Sequence, residues 1–373
     1  MSYLLPLLIA TVLLAYVSQK QAERITARGA RYSPDKDLAY IFLVIILTLF
    51  AGLRTRYNDT ENYIRGFLRA PMLWEFVADP ENLNPFTNPL FGLYESALKL
   101  FTNNPQVMIF TTAAFSQICF VRFIKQYSES FAFSMFLYIT LGTFIFTLAA
   151  IKQVLAMAVL TLAFPYLQKK KWGRYYFLVL LAVLLHTYAF VFAILPLFQT
   201  KPWSGFTFVF LLVMASVLLN FEETITAFME QANDLGKTIA EYEVFDDATI
   251  NIFRLAVYAV PPLISLVCQK WVLHKSSKTD NVLIHMSIIS LAFMILGTQS
   301  GANMFGRMGN YFELGTICCL PQMLKKTFEE RSYRLIAGIA CLCFMGFFVY
   351  ANAVKISFDQ HYRAIGIWQL LFP

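Results

Sequence analysis

The chain has 373 residues, of which 58% are hydrophobic, 16% aromatic and only 14% charged. That composition excludes a soluble globule and makes the bilayer the solvent. The formal charge of +7 does not bring in nucleic acid: the basic residues lie in short loops between apolar runs, with no aromatic or glycine-rich RNA-binding pattern, and a membrane accounts for them.

A helix needs about 20 mostly apolar residues to cross the hydrocarbon, and such runs recur through the chain. The fold class is therefore all-α, a polytopic integral membrane protein forming a single transmembrane domain over residues 1–373. The first run, Tyr3–Val17, has no positive stretch before it and no small-x-small cleavage site in Ser18–Glu23. It reads as a retained first helix rather than a signal peptide. Spans are expected near 3–18, 38–53, 105–124, 131–149 and 152–168, as two short half-spans within 174–199, and then near 206–220, 250–269, 281–299, 304–322 and 333–351. That makes about twelve transmembrane segments.

Between the second and third spans lies an outer loop, residues 54–104, rich in Pro and Asn. Its part Asn88–Phe101 carries Leu90, Phe91, Leu93, Tyr94, Ala97, Leu98 and Phe101 with Glu95 and Lys99 interposed. This pattern predicts an amphipathic helix on the outer surface, acting as an anchor or as a lip over a substrate cleft.

Cytoplasmic loops retain Lys and Arg during insertion. Basic clusters occur at Lys20–Lys36, Arg122–Lys125, Lys169–Arg174, Lys270–Lys278 and Lys325–Arg334. Placing these and Lys201 inside puts 19 basic and 7 acidic residues on the cytoplasmic face and leaves 11 basic and 16 acidic residues elsewhere. The N-terminus is then outside, and Tyr175–Phe198 goes out and returns with His186 at its outer turn. A single helix through that stretch is the alternative. It would turn the acidic loop 221–249 inside, against the same charge rule.

The six cysteines sit inside apolar runs, where packing is the expected role. The four histidines (186, 274, 285, 361) show no ligand spacing with one another or with any Cys, so neither a metal nor another cofactor is implied.

The rare polar residues are the informative ones. Arg54 and Asp59 emerge together after the second span, either as solvated flanks or with Arg54 as a planar fork for a phosphate. Lys152 and Gln153 interrupt nearly forty apolar residues. Snorkelling explains a lysine there, and an anionic ligand explains it equally. His186 is either a hydrogen-bonded core residue or a functional group, the default for an ionisable side chain inside a membrane. Arg254 reads as an interfacial anchor. Arg307, Asn310 and Tyr311 share one helical face at i, i+3 and i+4. Glu313 is placed on a different and deeper face, as a base or as a partner for a cation. Several cations around one outer cavity imply an anionic substrate, and a membrane-embedded cavity implies that it carries lipid. A lipid-linked phosphate or diphosphate satisfies both.

At these residues the chain resembles the EpsG family of bacterial exopolysaccharide proteins, related in role to Wzy-type polysaccharide polymerases. The resemblance rests on Ala51-Gly52-Leu53-Arg54 followed by Asp59-Thr60 and Tyr63, on Lys152-Gln153-Val154-Leu155-Ala156, on Leu185-His186-Thr187 with Leu195-Pro196, and on Arg307 with Tyr311-Phe312 and Leu320-Pro321. Two positions depart from the family pattern: Asn58 stands where Gly is usual, and Lys152 where Arg is usual, which keeps the charge but loses the bidentate fork.

The resemblance implies a metal-independent membrane glycosyltransferase on the outer face of a bacterial inner (plasma) membrane. It would pass a growing glycan from undecaprenyl diphosphate to another lipid-linked repeat unit, as in exopolysaccharide, capsule or O-antigen synthesis, with a flippase and a chain-length regulator alongside. Arg54, Lys152 and Arg307 would stabilise the leaving diphosphate, with Gln153, Arg254, Asn310, Tyr311 and Glu95 also binding substrate. His186, Asp59 and Glu313 compete as the base, with His186 favoured because its ordinary pKa is closest to neutrality. A membrane O-acyltransferase acting on a surface polysaccharide, or a lipid-linked oligosaccharide transporter, are the alternatives.

Overall fold

The computed structural model describes residues 1–220, 250–274, 276–299, 303–366 and 368–369. The acidic loop expected at 221–249 lies outside the described residues. The chain divides into two compact units, one made of Met1–Leu83, Leu90–Leu162 and Ile339–Pro373, the other of Asn84–Pro89 and Ala163–Gly338.

The first unit is built on α1 (Leu4–Ala27), α2 (Leu38–Gly52), α6 (Pro105–Tyr127) and the broken pair α7 (Phe131–Thr140) and α8 (Thr143–Ala149). Asp37 caps α2 by accepting from the Tyr40 amide, and Asn104 caps α6 from the residue before Pro105, the arrangement in which proline costs the helix nothing. Leu43, Leu47 and Ala51 of α2 are fully buried, as are Met108, Ile109, Phe120 and Ile124 of α6. Gly52 lets these two helices close: a Cβ there would lie 2.7 Å from Phe110 Cδ2 and 3.2 Å from its Cα. The α7–α8 pair bends by 49° around Gly142, whose φ of +91° suits glycine.

The loop over 54–104 is largely helical, with α3 (Thr60–Arg69), α4 (Leu73–Ala78) and α5 (Pro89–Leu98). α5 lies within the stretch 88–101 expected to be helical, but Glu95, expected among its polar residues, is buried. α3 escapes a hydropathy reading because its sequence, TENYIRGFLR, is mostly polar. The chain returns to this corner near its other end. A short strand β1 (Arg54–Arg56) pairs antiparallel with β2 (Arg363–Ala364), the Tyr362 hydroxyl donates to the Phe50 carbonyl at 2.7 Å, and the two rings stack at 4.8 Å.

The second unit is organised around α14 (Lys278–Leu296), apolar on all sides and buried accordingly. Against it pack α11 (Gly205–Leu219), α12 (Ile252–Val267) and the pair α15 (Asn303–Asn310) and α16 (Glu313–Thr327), and the short α13 (Gln269–Val272) packs on α16. Gly309 and Gly315 permit the approach, since a Cβ on Gly315 would collide with Met286. His285 is a satisfied core histidine. Its Nδ1 lies 2.9 Å from the Asn281 carbonyl and its Nε2 2.9 Å from the Thr207 hydroxyl, which fixes the neutral tautomer with the proton on Nδ1.

α9 (Ile151–Gln168) and α17 (Glu330–Val349) each contribute residues to both units. α10 (Trp172–Leu185) is followed by a 3₁₀ segment, Thr187–Phe198, and the chain reverses between them at His186, which is extended at φ −157° and ψ 114°. The Tyr175 hydroxyl donates to the Phe192 carbonyl at 2.6 Å. On one straight helix those residues would stand about 25 Å apart, so the single-helix alternative for this stretch does not hold.

Five helices among the described residues are long and apolar enough to cross a membrane, six if the bent pair is one span. Five further apolar helices are shorter, at 10–17 residues. Helix length therefore does not confirm the count of about twelve. The expected span 304–322 is two helices, broken at Tyr311–Phe312 where the amides of both residues bond three positions back rather than four.

Candidate functional site

The residues singled out from sequence fall into two groups, one in each unit.

In the first unit, Arg54 follows directly on α2 and is 1% exposed. Its Nε donates to Thr60 Oγ1 at 3.2 Å and its Nη1 to the Ala51 carbonyl. The fold holds this corner from both sides: Gln106 Nε2 donates to the carbonyls of Gly52 and Arg54 at 2.6 and 3.0 Å, and β2 pairs along β1. Burial pulls the guanidinium down to about 10, with the hydroxyls of Tyr362 and Tyr63 opposing the shift. Among the described residues no carboxylate pairs with Arg54. A buried guanidinium with only neutral partners is costly for the fold alone.

Asn58 has φ +47°, the left-handed region, where asparagine is the commonest substitute for glycine. Asn58 therefore meets the backbone demand of a position where the resemblance leads one to expect Gly. Asp59 is half-buried at the start of α3 and its side chain makes no capping bond.

Glu95 on α5 is 9% exposed. Lys152, at the start of α9, lies over the Phe91 ring at 5.1 Å, one turn before Glu95, and Phe91 meets the Tyr63 ring edge-on at 6.0 Å. Burial raises the Glu95 carboxyl to about 7, with Lys152 and then Lys99 drawing it back down. Gln153, beside Lys152, is buried. Tyr63 of α3 and Phe91 and Glu95 of α5, with Arg54 of β1 and Lys152 of α9, thus form a connected polar and aromatic patch.

In the second unit, Arg254 is half-buried on α12. Its Nη2 donates to Asn310 Oδ1 at 3.0 Å and pairs with Glu313 Oε1 at 3.1 Å. Tyr258, one turn on, donates to the same Glu313 oxygen at 2.6 Å. Glu313 is 1% exposed, so of its two expected roles the structure displays the partner for a cation. Nor does it turn away from Asn310. The bonding three residues back at the helix break brings positions i and i+3 into line, and residues 310 and 313 converge on one guanidinium. Tyr311 is drawn the other way, its hydroxyl 2.8 Å from His186 Nδ1, with Tyr188 edge-on to the imidazole at 5.2 Å. Arg307 is half-buried on α15. Asn88 Oδ1 accepts from the Thr187 amide and hydroxyl at 3.0 and 3.2 Å, which holds the turn at His186.

Sequence reasoning did not single out Tyr258, Thr60 or Phe91 as site residues, nor the strap at 362–364. For Tyr258 a signal was present, four residues after Arg254 on the same helix face.

A family model described as the EpsG family matches residues 37–362. The chain belongs to the EpsG family. The match takes in every residue discussed above at the two groups except those of the strap beyond Tyr362, and it makes this EpsG protein a membrane protein of polysaccharide biosynthesis. No curated protein and no solved structure matches the chain.

Proposed function

We propose that this EpsG protein is a polysaccharide polymerase. It transfers a growing glycan from undecaprenyl diphosphate to the sugar of another lipid-linked repeat unit, on the outer face of a bacterial inner membrane that the chain crosses about twelve times. The reaction is a single displacement with inversion that needs no metal. A new bond forms between an acceptor hydroxyl oxygen and the anomeric carbon as the bond from that carbon to the diphosphate breaks.

The observation that carries the reading is Arg54, a buried guanidinium that donates to a hydroxyl and a carbonyl rather than to a carboxylate. Preorganised cations aimed at the charge that develops on a leaving group supply much of the rate acceleration in many such reactions, and Arg54 with Lys152 suits a departing lipid diphosphate. Arg307, Arg254, Asn310, Tyr311 and Gln153 belong to the proposal as substrate-binding side chains, and a flippase and a chain-length regulator as its working partners.

The test is a gel profile of lipid-linked glycans from a deletion strain complemented with wild type or with Arg54→Gln. The reading requires a polymer ladder from wild type. The deletion, and the variant at normal protein level, should accumulate single lipid-linked units. Full-length polymer lacking only an acyl decoration in the deletion strain would replace the polymerase with an acyltransferase. Single units stranded on the inner leaflet would replace it with a transporter.

A further inference from the structure

We propose that Glu95 is the proton acceptor for the attacking sugar hydroxyl, in place of His186. The assignment rests on the polymerase reading and names the base of that reaction.

The argument starts from what a purely structural carboxylate needs. A buried carboxyl that serves only the fold is paired or hydrogen-bonded, because leaving it bare costs several kcal/mol. Glu313 shows the paired form, held by Arg254 and Tyr258. Glu95 shows the opposite: among the described residues nothing donates a hydrogen bond to it and no cation reaches ion-pair distance. Lys99, one turn further along α5, turns away to the carbonyls of Leu68 and Ala70 at the end of α3, a sound place for a cation. Lys152 stays over Phe91. From α6, the groups near this part of α5 are the Thr111 and Thr112 hydroxyls, both on Tyr94. From α3 they are Tyr63 and the bare face of Gly66, where a Cβ would stand 4.0 Å from Glu95 Oε1.

The placement keeps apart the two groups that a displacement needs. Arg54 bonds α3 at Thr60, whereas Glu95 faces the same helix at Gly66, six residues on. Inverting glycosidases likewise hold their two working groups apart, so that a nucleophile fits between them. A sugar set against α3, with its diphosphate toward Arg54 and Lys152, would leave Glu95 for the incoming hydroxyl. The acceptor O–H proton passes to a Glu95 oxygen as the new C–O bond forms, and the electron pair of the breaking bond leaves on the diphosphate. A carboxyl pushed up to about 7 is matched to such a transfer near neutral pH. Of the other candidates, Glu313 is occupied by its cation, His186 is bonded to Tyr311, and Asp59 is half-exposed.

The test uses full-length protein in membranes, supplied with the single lipid-linked units extracted from the deletion strain. Release of undecaprenyl diphosphate is followed against pH. Glu95→Gln should lose at least ~100-fold in kcat with little change in KM. Glu95→Asp should keep turnover but move the acidic limb of the profile, and Lys152→Gln should move that limb to higher pH. If Glu95→Gln keeps the wild-type rate and limb, Glu95 is not the base. If Glu95→Gln does not reach the membrane, the Glu95→Asp limb decides, and an unmoved limb overturns the assignment. Wild-type membranes that release no lipid diphosphate would remove the polymerase reading, and the assignment with it.

Discussion

Replacing Glu95 by Gln should stabilise the protein at neutral and alkaline pH and leave it unchanged in acid. Burial lifts the Glu95 carboxyl from its ordinary value of 4.5 to about 7, and each pH unit of such a difference is worth about 1.4 kcal/mol. Between pH 4.5 and 7 the unfolded chain has lost this proton while the folded chain keeps it, so stability falls as pH rises through that window. The full loss, about 3 kcal/mol, is in place above pH 7. Glutamine does not titrate and escapes it. Thermal unfolding in mild detergent should therefore give a Glu95→Gln midpoint equal to wild type near pH 4.5, an advantage that widens up to pH 7, and a plateau above. Adding Lys152→Gln to the wild-type chain removes the first of the two lysines that draw the carboxyl down, and should push that plateau to higher pH. A difference between Glu95→Gln and wild type that is flat across the whole range would refute the reasoning, because it would mean that the folded protein holds this carboxyl no differently from the unfolded chain.

Arg254→Gln leaves the Glu313 carboxylate buried without its cation and should cost about 3–5 kcal/mol. Adding Glu313→Gln should restore most of that midpoint in the same detergent assay, whereas simple additivity would show that the two do not act as a pair. Gly52→Ala drives a methyl into Phe110 and should cost about 1–3 kcal/mol, part of it regained with Phe110→Leu, as read from yield and unfolding midpoint. At Asn58, glycine should be tolerated and valine should lose about 1–2 kcal/mol, the usual penalty for a left-handed backbone. Equal midpoints for the two would contradict the φ of +47°.

Much of this architecture is written in local pattern. The caps at Asp37, Asn104, Asn251 and Ser277 sit where apolar runs begin, and Asn88–Phe101 announces α5 by its spacing. α3 is not announced, because a short polar helix held by tertiary packing has neither the length nor the hydropathy that a membrane reading looks for. Asn310 and Glu313, three residues apart, are neighbours on a helix, and their shared partner Arg254 lies 56 and 59 positions away in the chain. The turn that bonds three residues back carries no mark in the sequence of Arg307–Glu313, and neither does the approach of α12 that brings Arg254 to both side chains. Arg54 is legible as a rare cation next to a span. Its burial is not, since that depends on Gln106 and on a strap near the far end of the chain, and hydropathy sees neither. The contrast between half-exposed Asp59 and buried Glu95 is likewise a product of packing, and hydropathy does not mark it.

The pairing of β1 with β2 imposes an order on biosynthesis. At about 5–20 residues per second, the 307 residues between Arg56 and Ala364 take roughly 15–60 s to make, and for most of that interval Arg54 can have α2, α3 and Gln106 around it but not the strand that pairs with its backbone. The protein can be inserted, span by span, well before the corner at Arg54 is finished. Translation that stops after α17 would then leave a chain that resides in the membrane, and packs most of its helices, but lacks the closing piece of the corner proposed to take the lipid diphosphate.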